Sequence, residues 1–170
     1  PISTPELTAE YPFVLTSGSR IPMFFNSEYR QLPSLRKGRP LPEVDIHPDT
    51  AAELGIKPGD WVKISTQRGT CVQRAKLTPG IDPRVAHVQS HWWFPEEEGP
   101  HYGIWKSNAN RLTSQDGPYD PGMGTYYLRG MLCNLEKSSE YAVQWSPPVH
   151  PKYQSNAAEI QEFILPDAAE

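Results

Sequence analysis

Alternation of apolar and polar residues predicts β-strands, and it is clearest between residues 43 and 72. Val44 and Ile46 alternate with polar neighbours, and Val62 and Ile64 repeat the same spacing. Successive side chains of a strand point to opposite sides, so each pair indicates one buried face. Short apolar runs of this kind predict strands at residues 12–16, 44–46, 61–66, 70–77, 85–89 and 126–134.

The segments between these strands carry helix and turn signals. Pro48 suits the first position of a helix and Gly55 its end, so a short helix is predicted over residues 49–54. The stretch Lys57-Pro58-Gly59-Asp60 places Pro and Gly at the central positions of a type II turn, because Pro presets φ and Gly tolerates positive φ. Strand, helix, turn and strand therefore follow one another closely, which indicates a compact β unit.

Composition supports a loop-rich β protein that is long enough to form one hydrophobic core. The chain has 170 residues, 37% of them hydrophobic, with 19 prolines and 12 glycines. A net charge of −4 gives no basic footprint for nucleic acid, and no apolar run approaches the length of a membrane span. The chain begins at Pro1 rather than Met, which favours a piece of a longer protein or a processed subunit.

Cysteine and histidine positions argue against a metal site in this chain. Cys71 and Cys133 form no CxxC, so neither a zinc ribbon nor an iron–sulfur site is expected, and the cellular compartment stays open. His87 and His91 have a spacing that aligns ligands only on a helix. In a strand, as predicted here, they lie about 13 Å apart.

Residues 46–69 carry a dense motif: Ile46-His47-Pro48-Asp49-Thr50-Ala51, Leu54-Gly55-Ile56, Gly59-Asp60-Trp61-Val62-Lys63-Ile64 and Gln67-Arg68-Gly69. It resembles the C-terminal cofactor domain of the dimethyl sulfoxide reductase family of molybdenum and tungsten enzymes. The resemblance implies a mainly β fold, a double-psi β-barrel like that of aspartate decarboxylase, with short peripheral helices. It covers residues 11–135, between a linker or leading arm over residues 1–10 and a C-terminal extension over residues 136–170.

The loop after the first strand also resembles the family, in which "LTTGR" and a later "HxHT" lie along the pterin and its phosphate. The matching runs are Leu15-Thr16-Ser17-Gly18-Ser19-Arg20 and Phe24-Phe25-Asn26-Ser27. The arginine comes one residue late, so either Ser19 or Arg20 takes its place. Phe24 and Asn26 replace the histidines; Asn26 can still donate and accept, whereas Phe24 can only pack. The resemblance implies cofactor-binding roles for Ser17, Gly18, Ser19, Arg20, Phe24, Asn26 and Ser27.

A third stretch resembles the family's "NxLT…DP" signature, whose asparagine binds the pterin. Asn110-Arg111-Leu112-Thr113 and Asp120-Pro121 match it, which implies that role for Asn110, with Asn108 as the alternative. Arg129 falls where the family has a basic residue facing the cofactor, and a guanidinium can grip phosphate oxygens.

Further expectations concern residues outside these motifs. Arg30 could pair with phosphate or with Glu28, although an arginine in a polar loop is usually a solvated charge. Residues 32–42 are expected to be extended, with their Arg36-Lys37-Arg39 cluster solvated. The Trp92-Trp93 pair is expected to cap the cofactor or, alternatively, to close a barrel end or an interface.

The resemblance implies a domain that holds and orients molybdopterin guanine dinucleotide, with molybdenum or tungsten, in an oxidoreductase. Metal ligand, catalytic residues and any iron–sulfur cluster would belong to upstream domains of the same polypeptide, so the fragment alone would be inactive. An electron-transfer subunit is a further possible partner. Two alternatives remain: a non-catalytic protein-binding barrel, and a self-processing pyruvoyl decarboxylase cleaved between Gly18 and Ser19.

Overall fold

The predicted strands close into a barrel in the computed structural model, which describes residues 4–115 and 119–139. The strands in these residues are β1 Phe13–Ser19, β2 Glu43–Ile46, β3 Trp61–Ser65, β4 Thr70–Leu77, β5 Val85–Gln89 and β6 Arg129–Lys137. Their order around the barrel is β1-β5-β2-β4-β3-β6, and β6 returns to β1. The β1/β5 and β2/β4 pairs are parallel, and the other neighbours are antiparallel. This closed barrel confirms the expected mainly β, double-psi fold.

Short helices decorate the barrel. They are α1 Pro5–Glu10, α2 Pro33–Arg36, α3 Pro48–Glu53, α4 Ile104–Ser107 and a 3-10 helix, Ala109–Leu112. Helix α3 is the helix predicted from the sequence. Gly55 at its end and Gly59 within the turn that follows both have positive φ, +64° and +80°. No helix in the described part of the chain has the length and hydropathy needed to span a membrane.

Two strands are placed differently from the prediction. β1 continues to Ser19 because residues 17–19 pair with β5, with a register shift at Gly18, so this stretch is strand rather than loop. β6 begins at Arg129 and ends at Lys137, a few residues later than predicted, so the barrel reaches into the expected C-terminal extension. The remainder of that extension, residues 140–170, lies outside the described residues.

The leading arm contains a short helix that the sequence analysis did not predict. The side chain of Thr4 accepts a hydrogen bond from the Leu7 backbone N–H, and Pro5 occupies the first turn of α1. No residue of α1 is buried, so this helix adds little to the core.

Apolar side chains form two clusters, one inside the barrel and one outside it. The inner cluster comes mainly from alternate residues of the strands and is closed by Ala109 and Leu112 of the 3-10 helix. The outer cluster packs the loops after β1 and β5 against Trp61 and Val72; its buried members are Ile21, Phe24, Leu41, Trp61, Val72, Trp92 and Phe94. The outer cluster therefore fixes the loops that leave one end of the barrel.

We expect neither cysteine to react with an aromatic disulfide reagent at pH 8 while the chain is folded. Cys71 and Cys133 are free and buried in the inner cluster, and burial raises the pKa of each thiol to about 12. The reactive thiolate is therefore scarce as well as inaccessible. Both should react once urea unfolds the chain, and rapid labelling of the native protein would contradict the prediction.

Candidate cofactor-binding site

Three strands bring the predicted site residues of β1 and β6 to one end of the barrel. Because β1 and β5 are parallel, their C-terminal ends lie side by side, with Ser19 opposite Gln89. β6 runs antiparallel to β1, so it begins there, with Arg129 opposite Thr16. The loops that follow β1 and β5 leave from this same end.

Gly18 and Arg129, two of the predicted site residues, lie close together. Gly18 has φ of +92°, and a Cβ built on it would lie 3.8 Å from Nη2 of Arg129. Ser17 is buried and its Oγ donates to the Leu128 carbonyl at 2.5 Å, which fixes the backbone next to Arg129. The Arg129 side chain is exposed and makes no hydrogen bond or ion pair with the residues that the structure describes. A glycine backbone and a free guanidinium thus face the same space.

Together with the start of the loop after β5, the loop after β1 lines a small recess of about 10 Å³. Arg20 and Asn26 line it and are themselves exposed, and Asn26 has φ of +51°. Phe24 also lines it but is otherwise buried, with its ring 6.0 Å from that of Trp92. Ser27 lies just beyond, exposed. A cavity of this size holds about one water molecule, so this recess alone is too small for a dinucleotide.

The expectation that Arg30 is a solvated charge is wrong. Its side chain is buried, and its guanidinium donates to the backbone carbonyls of Asn26 at 3.0 Å, Glu28 at 3.2 Å and His91 at 3.4 Å. The guanidinium carbon lies 4.0 Å from the centre of the Phe24 ring. Arg30 therefore joins the loop after β1 to the loop after β5.

The expectation for residues 32–42 is also wrong at Arg36. This segment contains α2 rather than a wholly extended chain, and Arg36 is completely buried. Its Nη2 donates to Glu96 Oε1 at 2.9 Å, and its Nη1 donates to the Arg30 carbonyl at 3.1 Å. Sequence alone could not supply this pair, because the two residues are 60 positions apart.

The two tryptophans have different surroundings. Trp92 is fully buried in the outer cluster, edge-on to Phe94 with ring centres 6.5 Å apart, so it closes the loops against the barrel. Trp93 is half-buried; its Nε1 donates to the Ser27 carbonyl at 2.5 Å, and its ring lies 5.7 Å from that of Tyr102. The sequence left two roles open, capping the cofactor and closing a barrel end or an interface, and Trp92 has the second.

Asn110 lies on the 3-10 helix with an exposed side chain. The Asn108 Oδ1 accepts from the Asn110 backbone N–H at 2.9 Å, which caps this helix. Thr66 Oγ1 donates to the Leu112 carbonyl at 2.9 Å and attaches the helix to the turn between β3 and β4. The Asn108 amide is thus engaged, whereas the Asn110 amide makes no hydrogen bond with any residue the structure describes.

Gln73, which the sequence analysis did not single out, connects the segment of Asn110 to the end of β5. It is fully buried; its Nε2 donates to the carbonyls of Gln89 at 2.8 Å and Ser107 at 3.1 Å, and its Oε1 accepts from the Gln89 N–H at 3.1 Å. The alternation of β4 could have identified Gln73 as an inward-facing residue, because it shares a face of the strand with Cys71 and Ala75. The structure records no direct hydrogen bond between Asn110 and Gly18 or Arg129 within its described residues.

Residues 13–131 match a known family, the molydopterin dinucleotide binding domain. The match spans more than half of the chain, so the chain belongs to this family. This favours cofactor binding over the protein-binding barrel and the self-processing decarboxylase.

Similar proteins are large enzymes. Dopamine dehydroxylase of Eggerthella lenta is 39% identical over 140 residues, which are 82% of this chain and 14% of that protein. Acetylene hydratase of Syntrophotalea acetylenica is 37% identical over 141 residues, 76% of this chain and 18% of that protein. The solved structure of acetylene hydratase from Pelobacter acetylenicus superposes with a TM-score of 0.75 at 32% identity, covering 79% of this chain and 19% of that one. The chain thus spans less than a fifth of these relatives.

Proposed function

We propose that this chain is the C-terminal domain of a larger molybdenum or tungsten oxidoreductase and holds molybdopterin guanine dinucleotide at the Gly18 end of the barrel. The observation that carries the proposal is the Arg129 guanidinium, unpaired among the described residues, beside the positive-φ backbone of Gly18. Family membership and the enzymes named above support the same function.

The residues at this end suit a cofactor that carries both phosphates and a hydrogen-bonding ring. Arg129 offers a fork of donors for phosphate oxygens, and Gly18 lets a ligand approach the backbone without a side chain in the way. Asn110 offers an exposed amide that donates and accepts, as a pterin edge requires. When bound, the cofactor would supply the metal and the redox chemistry; the chain's own residues would bind and orient it.

We assign the remaining contacts to the cofactor to upstream domains of the same polypeptide. These domains would carry the metal ligand and any iron–sulfur cluster. The small size of the recess and the short span relative to the enzymes above support this division. We further propose that an electron-transfer subunit contacts the complete enzyme.

The chain alone is expected to bind guanine nucleotide weakly and to catalyse no turnover, and reductase or hydratase activity of the purified chain would contradict this.

Replacing Asn110 or Arg129 by Ala in the complete enzyme should weaken cofactor binding by about 1–3 kcal/mol, with the larger loss at Arg129 because its hydrogen bonds are charged. Metal content per protein, measured after gel filtration, reports the retained cofactor. Arg111→Ala is the matched control, because that side chain is exposed and, among the described residues, donates only to the Trp105 carbonyl. Equal metal content in all four proteins would refute the assignment of these residues.

A further inference from the structure

Left-handed backbone conformations gather around the buried guanidinium of Arg30. The residues Asn26, Tyr29 and His91 have φ of +51°, +68° and +61°. Tyr29 immediately precedes Arg30, and the carbonyls of Asn26 and His91 accept hydrogen bonds from its Nη2. A residue other than glycine loses free energy in the left-handed region, so it persists there only where surrounding contacts hold it. The backbone strain of the loops after β1 and β5 is therefore concentrated around one side chain.

The carbonyls of these loops depend on Arg30 for a donor. Those of Asn26, Glu28 and His91 accept from its guanidinium, and none accepts from a backbone N–H in the part of the chain that the structure describes. Burial, and secondly the charge of Arg36, lower the pKa of Arg30 to about 10, so its guanidinium remains protonated at neutral pH. One planar group thus supplies donors to both loops at once.

We propose that Arg30 is a positioning residue for the cofactor site: its guanidinium holds the loops after β1 and β5 in the conformation that receives the cofactor. Arg30 is buried, so it acts through these loops and not by touching the cofactor. The inference rests on the proposed function, which places Asn26 and Ser27 in that site. The Trp93 indole also donates to the Ser27 carbonyl, so movement of one loop is transmitted to the other. Loops held in place before binding lose less conformational freedom when the cofactor binds.

Hydrogen exchange of the Trp93 indole N–H, followed by NMR in this chain, tests the positioning without any cofactor. This N–H donates to the Ser27 carbonyl and reports whether the two loops stay joined. Arg30→Lys keeps the charge, but an ammonium offers its donors from one atom rather than from a planar fork. Exchange of the indole N–H should become about tenfold faster or more, since charged hydrogen bonds are lost. The amide N–H groups of β3, in the barrel wall, should change by less than about twofold.

Two results in Arg30→Lys would overturn the proposal. One is unchanged exchange at Trp93, and the other is equal acceleration in β3, because that indicates a general loss of stability. If Arg30→Lys does not fold, the parent chain supplies a second measurement. Its Arg30 Nη protons should give separate, slowly exchanging resonances, because the carbonyls oppose rotation of the guanidinium. Averaged resonances like those expected of the exposed Arg20 would overturn the proposal as well.

His91→Gly separates the backbone strain from other effects of Arg30. Glycine adopts positive φ readily, so its carbonyl needs no donor to keep it there. Adding His91→Gly to Arg30→Lys should therefore slow the indole exchange about two- to fivefold relative to Arg30→Lys alone. His101→Gly is the control, the same change at another exposed histidine whose φ is not positive. Equal effects of the two glycines in the Arg30→Lys chain would show that Arg30 does not hold the strained backbone.

Metal content of the complete enzyme connects the loops to the cofactor. Arg30→Lys should lower the metal content per protein, and adding His91→Gly should restore part of it. If the indole exchange rises as expected while metal content stays at the parent level, Arg30 joins the loops but does not position the cofactor, and the proposal is overturned. The proposed function fails separately, through unchanged metal content in the Asn110 and Arg129 variants.

Discussion

Replacing Gln73 by Leu is expected to lower the free energy of unfolding of this chain by about 3–5 kcal/mol. The Gln73 amide makes three hydrogen bonds inside the barrel, to both backbone groups of Gln89 and to the Ser107 carbonyl. Leucine matches it roughly in size but leaves these groups without a partner, and each unpaired buried group costs about 1–3 kcal/mol. The loss would be a large part of the roughly 5–15 kcal/mol that stabilises a typical domain.

Urea unfolding followed by far-ultraviolet circular dichroism measures this loss. Gln67→Leu makes the same change in an exposed turn and should alter stability by no more than about 0.5 kcal/mol. Gln73→Glu separates the two functions of the amide, because a carboxylate can still accept from the Gln89 N–H but cannot donate to the two carbonyls. Gln73→Leu costing less than about 1 kcal/mol would show that the network matters little.

The hydrogen bonds of Gln73 also position two segments of the proposed cofactor site. Gln73 holds the end of β5 next to Ser19 and also holds Ser107, which precedes the asparagines of the 3-10 helix. The loop after β1 and the segment of Asn110 are therefore linked through a single buried amide. We expect Gln73→Leu to reduce cofactor retention in the complete enzyme even under conditions where the barrel stays folded.

Sequence reasoning succeeded where structure is set by residues close together in the chain. The helix at Pro48 and the turn at Gly59 depend on the preferred φ of single residues, so a few letters suffice to predict them. Alternation in β3 and β4 was readable for the same reason, because inward and outward positions repeat every second residue. Barrel closure and its strand order came instead from the resemblance to a family.

Sequence reasoning failed at buried charges whose partners are distant. Arg30 and Arg36 lie in polar, proline-containing stretches that look solvated, yet both are buried against Trp92. Their partners at His91 and Glu96 follow β5, some sixty positions later, and only the packing of the two loops brings them together. The burial of Arg30 without a carboxylate partner among the described residues is visible only after that packing is known.

The Arg36 and Glu96 pair gives the second large prediction: Glu96→Ala should destabilise the chain by about 3 kcal/mol. Arg36 has a fully buried side chain, and Glu96 is its only carboxylate partner among the described residues. Removing one member of a buried pair leaves a charge in a poorly solvated place, which costs about 3–5 kcal/mol; partial exposure of Glu96 favours the lower end.

Glu97→Ala is the adjacent control, because Glu97 pairs with Lys106 while both side chains remain about 30% exposed. Exposed pairs of this kind contribute about 0–1 kcal/mol, and salt screens them. The Glu96→Ala loss should therefore persist at high salt in urea unfolding, whereas any Glu97→Ala loss should shrink. If the two variants lose the same stability, Arg36 is better solvated than its burial indicates. Adding Arg36→Met to Glu96→Ala should restore part of the loss, since the uncompensated charge is then gone.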